Sequence, residues 1–270
     1  MAEIISSFND LNYLDYLSTK DSPIHRLDPR AKLLTVIVFI ATIVSFNKYS
    51  VSSLLPYFFF PAVMIPLAGI PVRYLTKKFL FLLPFAVIIG IFNPFFDRIP
   101  MLSLNGFFIT GGWVSFASII VRFTLTVLAA FILIAVTGFN GVCLALERFR
   151  IPKVFCTQLM MLYRYIFVLS NEAVRMTRAR ELRSMGRKGK GIKVYGALMG
   201  NLLMRTWNRA QRIHMAMLSR GFHDEFYLKR PLSLHAADAF FTLGWCSLFI
   251  LFRFFDLPLM AGRMFMSGMP

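Results

Sequence analysis

Four long stretches of this chain carry no charged residue and are rich in Leu, Ile, Val and Phe. They run from Leu33 to Asn47, Tyr49 to Val72, Phe79 to Phe96 and Phe123 to Leu146. A helix needs about 20 apolar residues to cross the core of a bilayer. A fifth apolar run, Leu234 to Phe255, carries charge only near its ends. The pattern predicts an all-α integral membrane protein with about five transmembrane helices, four followed by one.

Composition supports a membrane location for the chain. Of its 270 residues 57% are hydrophobic, 30 are Phe, and the mean hydropathy is +0.63. These values are too apolar for an ordinary soluble domain. The first apolar interval is the shortest, and it reaches a usable length only if Ala31 and Lys32 join it, with the lysine extending toward the headgroups. The first 20 residues contain three acids and fit no signal peptide.

Basic residues are concentrated in the segment 147–230, which holds 18 Lys and Arg against five Asp and Glu and so carries +13 of the net charge of +17. Positive charge next to membrane spans marks the cytoplasmic side. We therefore expect this segment and the amino terminus to lie in the cytoplasm, and the carboxyl terminus to lie outside.

Four regions follow from the apolar and basic patterns. Residues 1–30 are expected to form a cytoplasmic segment with a short interfacial helix, 31–146 a four-helix transmembrane region, 147–230 a cytoplasmic coupling-helix domain, and 231–270 the last transmembrane helix and a tail. The interfacial helix is indicated by apolar residues on one stripe, namely Phe8, Leu11, Leu14 and Leu17.

Two long amphipathic helices are predicted within the basic segment, from Val154 to Met185 and from Val194 to Ser219. In each, apolar residues recur at alternating spacings of three and four, which is typical of a helix with one apolar stripe. The opposite faces are rich in arginine. We expect these basic faces to bind anionic lipid, at about 1 kcal/mol for each basic residue near the membrane surface.

Each of these helices ends in an arginine followed by a small residue. The triplets are Leu182-Arg183-Ser184 and Ser219-Arg220-Gly221, and the two arginines are 37 positions apart. One such triplet could be simple helix capping, since cations near a helix C-terminus and a following glycine are both common. Two of them on the expected cytoplasmic side favour a coupling role, because a guanidinium can pair with a partner's carboxylate through two hydrogen bonds.

Several motifs together resemble the CbiQ/EcfT family, the transmembrane components of energy-coupling factor (ECF) transporters. The resemblance extends from about Pro23 to Arg230 and depends on these segments: Ile24-His25-Arg26-Leu27-Asp28-Pro29-Arg30-Ala31-Lys32, Leu162-Tyr163-Arg164-Tyr165-Ile166, Arg175-Met176-Thr177-Arg178-Ala179-Arg180 and Ala216-Met217-Leu218-Ser219-Arg220-Gly221-Phe222.

The resemblance implies a non-catalytic subunit of an ATP-driven importer in the cytoplasmic membrane of a bacterium or archaeon. Its partners would be two ABC-type ATPases similar to CbiO, which bind the ATP, and a membrane capture subunit similar to CbiM. In the family, two Ala-Arg-Gly-like triplets dock in grooves of the ATPases. Here they match Leu182-Arg183-Ser184 and Ser219-Arg220-Gly221, which keep the arginines and differ at the flanks.

The expected contact with the capture subunit is the apolar stripe of the second helix, through Met199, Leu203, Trp207 and Met217. The sequence is most similar to the cobalt branch of the family, which makes cobalt the expected cargo, with nickel and then a vitamin as alternatives. The four histidines have no partners at metal-ligand spacing, so we assign this chain no metal site and no bound cofactor. No nucleic-acid partner is expected.

Two functions of other classes compete with coupling. A membrane-bound lipid-modifying enzyme would need a nucleophile, a base or metal-binding acids near the interface, and the basic segment offers only scattered acids. A self-contained channel or secondary transporter would need charged residues within its spans or repeated halves, and the sequence shows almost none of the former and none of the latter. Nor is there a G-x-x-x-x-G-K-[ST] loop for ATP.

Overall fold

The computed structural model describes residues 13, 15–96, 100–104, 107–183, 191–222 and 235–254. These residues form two compact units. The membrane unit, as we call it here, contains the described residues of 15–142 and 235–254. The coupling unit contains 143–183 and 191–222. Each unit is described separately.

The described residues are mainly helical. In chain order the elements are α1 (Pro29–Val44), a 3₁₀ helix (Ser52–Phe58), α2 (Phe59–Leu67), α3 (Val72–Gly90), α4 (Asn93–Phe96), strands β1 (Pro100–Leu104) and β2 (Phe107–Thr110), α5 (Gly111–Arg148), α6 (Lys153–Arg183), α7 (Ile192–Leu218) and α8 (Ala236–Phe254). Among the described residues, α5 and α8 are long and apolar enough to cross a membrane. The expectation of an all-α membrane protein is therefore confirmed, with one small hairpin added.

That hairpin pairs β1 and β2 in antiparallel register, with Leu104 opposite Phe107. The apolar intervals predict only a connection between two spans for this segment. A signal was available, because Asn105-Gly106 is the dipeptide preferred in tight hairpin turns and β-prone residues flank it. The hairpin ends at Thr110, and α5 begins at the next residue, Gly111, which is followed by a second glycine.

Helix α1 begins as its sequence predicts. Asp28 precedes it and accepts a hydrogen bond from the backbone amide of Arg30 at 2.9 Å, while Pro29 occupies the first helical position. Both residues favour the start of a helix. The Asp28 carboxylate pairs with an amide that would otherwise have no partner, and Pro29 has no amide hydrogen that needs one.

The second apolar interval does not form one continuous α-helix. It is a 3₁₀ helix from Ser52 to Phe58 followed by α2, which ends at Leu67. Pro56, Pro61 and Pro66 lie in this stretch. Each removes an amide donor and crowds the preceding turn, which disfavours one long continuous α-helix.

Aromatic side chains from α1, the 3₁₀ helix, α2 and α8 form the centre of the membrane unit. Phe39, Tyr57, Phe60 and Phe249 are all at most 1% exposed. The ring of Phe39 lies 4.7 Å from that of Phe60 and 5.1 Å from that of Phe249, measured between centroids. Such pairs contribute about 0.5–1.5 kcal/mol beyond their buried area. Helix α8 is therefore packed against α1.

In the coupling unit, α6 and α7 run antiparallel. Glu172 of α6 forms an ion pair with Arg205 of α7 at 2.8 Å, and Arg180, further along α6, lies over the ring of Tyr195, nearer the start of α7. Both helices match the predicted amphipathic segments to within a few residues. The predicted end of the first, Met185, lies outside the described residues.

Candidate coupling site

Arg183 is the last residue of α6, and its side chain is exposed. Leu182 beside it is 77% exposed. Ser184, the third residue of this triplet, lies outside the described residues. Arg180 and Arg183 both occupy the last turn of the helix, where the partial negative charge of the helix end favours a cation. The Arg183 guanidinium thus lies at a helix end and is accessible to a partner.

Arg220 lies just beyond the end of α7, in a turn that closes the helix. The amide of Phe222 donates to the carbonyl oxygen of Met217 at 3.1 Å, and the amide of Gly221 donates to that of Leu218 at 3.0 Å. Gly221 has a φ of 76°, a conformation that favours glycine. These bonds form the usual glycine-terminated helix end. The turn fixes the backbone at Arg220 and leaves its side chain exposed.

The two arginines do not form one cluster. Because α6 and α7 are antiparallel, Arg183 lies at the end of the pair next to residues 184–190, and Arg220 lies at the other end. A helix of 31 residues such as α6 is about 45 Å long at 1.5 Å per residue. The arrangement therefore presents two separated guanidinium groups, each at its own end of one helical pair.

A mostly apolar groove of about 500 Å³ lies between α6 and α7, on the half of the pair nearer Arg220. Of the four residues expected to contact a capture subunit, Leu203, Trp207 and Met217 line it. Met199 is not part of the groove but is 66% exposed. No residue of α7 is fully buried. Exposed apolar surface of this kind is typical of a protein or membrane contact.

The residues that hold α6 against α7 were not identified from the sequence. Arg180 and Arg205 were assigned to the basic faces, but in the structure Arg205 pairs with Glu172 and Arg180 lies 4.9 Å from the centre of the Tyr195 ring. A weak signal existed, because Glu172 is one of only two acids in α6. Arg205 lies between Leu203 and Thr206, which line the groove, whereas Arg180 and Tyr195 are not among the groove residues.

A family model described as cobalt transport protein CbiQ matches residues 20–228. The match includes both arginine triplets and all of α6 and α7. This chain belongs to the CbiQ family of cobalt transport proteins. As a member of the CbiQ/EcfT family it is a transmembrane component of the ECF type of transporter.

Three relatives show how far the similarity extends. The chain is 27% identical over 82% of its length to an uncharacterized protein of Methanocaldococcus jannaschii, covering 79% of that protein. It is 25% identical over 74% of its length to the energy-coupling factor transporter transmembrane protein EcfT of Bacillus subtilis, covering 81% of that protein. It is 30% identical over 36% of its length to a proposed fused cobalt transport protein CbiMQ of Methanocorpusculum labreanum, covering 18% of that protein.

Membership in the CbiQ family gives no support to the alternative of a lipid-modifying enzyme. Among the residues that the structure describes, no group of three or more His, Cys, Asp or Glu side chains could hold a metal ion. His223 lies outside that part of the chain. Burial raises the pKa of the Cys156 thiol, which keeps it protonated and a poor ligand near neutral pH.

Proposed function

We propose that this CbiQ-family chain is the energy-coupling subunit of an importer, in which Arg183 and Arg220 dock into two ABC-type ATPases. ATP-driven movement of the ATPases passes through α6 and α7 to a membrane capture subunit. The observation that carries the proposal is the position of two exposed arginines at opposite ends of one antiparallel helical pair.

This arrangement suits two ATPase subunits better than one. A separation comparable with the length of α6, about 45 Å, is too large for both arginines to enter a single small groove. Each guanidinium is exposed and can donate two hydrogen bonds to a partner's carboxylate. Residues Leu182, Ser184, Ser219 and Gly221 would line the two contacts beside the arginines.

The groove between α6 and α7 supports a contact with the capture subunit. Leu203, Trp207 and Met217 line it, and Met199 extends the same apolar surface. Methionine and leucine side chains adapt to a partner that changes its orientation. In this proposal a displacement at either arginine changes the shape of the apolar surface that holds the capture subunit.

The proposed cargo is the cobalt ion, bound by the capture subunit, with nickel and then a vitamin as alternatives. The ATPases bind the ATP, and this chain is a non-catalytic subunit that binds no cofactor. The membrane would be the cytoplasmic membrane of a bacterium or archaeon, with the amino terminus and coupling unit in the cytoplasm. Anionic lipid would contact the basic faces of α6 and α7, where the arginines are concentrated.

The decisive experiment is co-purification of the chain with its two ATPases in detergent. We expect wild type to retain the ATPases and Arg183→Glu plus Arg220→Glu to reduce retention at least tenfold. The matched control is Arg175→Glu plus Arg212→Glu, which makes the same change of charge at exposed positions within the helices. Full retention and ATP-driven uptake by the first double variant would overturn the proposal.

Uptake by vesicles that contain the complete complex would identify the cargo. Co²⁺, Ni²⁺ and a vitamin mixture should be supplied in separate assays. Each assay should be run once with ATP inside the vesicles and once with ATP outside them. We expect ATP-dependent accumulation of Co²⁺ and loss of that accumulation in the Arg183→Glu plus Arg220→Glu variant. Accumulation of only a vitamin would change the cargo and leave the coupling role intact.

A further inference from the structure

Helix α5 contains a break at Gly138, where φ is 69° and ψ is 159°. These angles are far from helical values and lie in a region that is open essentially to glycine alone. The break lies shortly before the boundary between the two units, which falls after Val142. The chain therefore changes its backbone conformation close to the point where it leaves the membrane unit.

The break leaves a carbonyl group that a regular helix would use. In an α-helix the carbonyl oxygen of Ala135 accepts from the amide of residue 139. A ψ of 159° at Gly138 turns that next amide out of the helical direction. The His25 ring interacts with the backbone of Ala135, three positions before the break.

Ser18 and His25, both in the segment before α1, make further contacts near the break. Ser18 packs on Gly138, and its hydroxyl oxygen lies 2.8 Å from where a Cβ at position 138 would be. That hydroxyl is itself fixed, because it donates to the carbonyl oxygen of Asp15 at 2.8 Å. His25 is also within hydrogen-bond distance of Ser22, at 2.7 Å, and of the Leu17 carbonyl oxygen, at 3.1 Å. The segment before α1 thus braces the break from outside the helix.

We propose that the break at Gly138, braced by Ser18 and His25, is the joint at which the coupling unit moves relative to the membrane unit during transport. The inference rests on the proposed coupling function and locates its moving part. A continuous helix resists bending, whereas one residue with free access to φ and ψ can absorb a rotation.

The test measures motion directly in the complete complex with both ATPases, in lipid nanodiscs. Spin labels are placed at Thr76 of α3 and Gln211 of α7, both exposed, after Cys143, Cys156 and Cys246 have been replaced by serine. Pulsed electron paramagnetic resonance gives the distance between them with and without a non-hydrolysable ATP analogue. We expect the distance distribution to shift with nucleotide in the parent protein.

Gly138→Ala should abolish that shift and reduce ATP-driven uptake at least tenfold, because alanine disfavours the observed φ and its Cβ meets Ser18. Gly200→Ala is the matched control, since it lies in α7 with no atom within 4 Å of the new Cβ, and the shift should persist. A nucleotide-dependent shift of the same size in Gly138→Ala would overturn the inference. ATPase co-purification should be unchanged in both variants. Loss of co-purification in the parent would instead count against the coupling function itself.

A second pair of variants covers the case in which Gly138→Ala does not accumulate. His25→Phe removes the ring nitrogens that pair with Ser22 and with the Leu17 carbonyl oxygen, and should weaken or abolish the shift. His25→Gln can still donate to a carbonyl oxygen and should retain it. Equal, parent-like shifts in His25→Phe and His25→Gln would show that the brace has no part in the motion.

Discussion

The carboxylate of Asp238 accepts a hydrogen bond at 2.8 Å from the backbone amide of Asp28, which lies 210 positions earlier in the chain. Its other oxygen accepts from the amide of His235, also at 2.8 Å. Asp238 is 3% exposed, and Lys32, which interacts with it electrostatically, is 4% exposed. One buried carboxylate therefore joins the start of α8 to the start of α1.

Asp238→Ala should lower the free energy of unfolding by about 3 kcal/mol, because it leaves the buried amide of Asp28 and the part-buried amide of His235 without this acceptor and removes a charge opposite buried Lys32. Thermal unfolding in detergent, followed by tryptophan fluorescence, measures the change. Asp21→Ala is the control, since Asp21 pairs with Arg26 on the exposed surface, and its midpoint should not move. A parent-like midpoint for Asp238→Ala would contradict the role of this carboxylate.

Tyr57→Phe should destabilise the membrane unit by about 1 kcal/mol. The buried hydroxyl of Tyr57 donates to the carbonyl oxygen of Phe249 at 3.0 Å, and phenylalanine keeps the ring packing while removing this donor. The same unfolding assay applies, with Tyr16→Phe as the control at an exposed side chain. If both variants unfold at the parent temperature, the hydrogen bond contributes nothing measurable.

Exchanging the two residues of the ion pair between α6 and α7 should separate the electrostatic contribution of the pair to stability from the contribution of side-chain packing. Glu172 and Arg205 are 2.8 Å apart, with side chains 28% and 64% exposed. For a pair of this exposure we expect a coupling energy of about 0.5 kcal/mol in a double-mutant cycle. Glu172→Arg or Arg205→Glu alone should lower the unfolding midpoint, and the combined swap should recover it. If the combined swap lowered the unfolding midpoint by the sum of the two single decreases, a direct interaction between the two side chains would be excluded.

Stability should fall as the pH decreases through the range just below neutrality. Burial, followed by the nearby charge of Lys32, lowers the pKa of His25 below its usual value. The unfolded chain therefore binds a proton at His25 more readily than the folded chain does, so the contribution of this histidine is complete above a pH of about 6.5 and is lost on acidification. Unfolding midpoints between mildly alkaline and mildly acidic buffers should show a steeper decrease for the parent than for His25→Gln.

The coupling unit is the region that the sequence predicted best. The apolar spacings in α6 and α7 placed both helices to within a few residues, because amphipathic periodicity is a local property. The glycine after Arg220 marked the end of α7 for the same reason, and Gly221 has the expected positive φ. The roles of Arg183 and Arg220 remain predictions until a partner is tested.

Contacts between distant parts of the chain could not be predicted in this way. The basic pattern places Arg205 on a face expected to bind lipid, because nothing local identifies Glu172 as its partner 33 positions away. The partner of Arg122 is a second example, since its guanidinium donates to the carbonyl oxygen of Asn47, 75 positions earlier in the chain. Gly138 was not singled out, because the angles of a glycine inside an apolar run depend on what packs around it.

The sequence by itself determined the apolar segments, the long amphipathic helices, the basic charge of the coupling unit and the two arginine triplets, since each depends on neighbouring residues and on the energy of transfer from water to lipid. Only the tertiary structure decided that Asp238 joins α1 and α8, that α6 and α7 run antiparallel with their arginines at opposite ends, and that α5 breaks at Gly138. These features depend on which surfaces meet, and a surface acquires its hydrogen-bond partners only when segments far apart in the chain pack together.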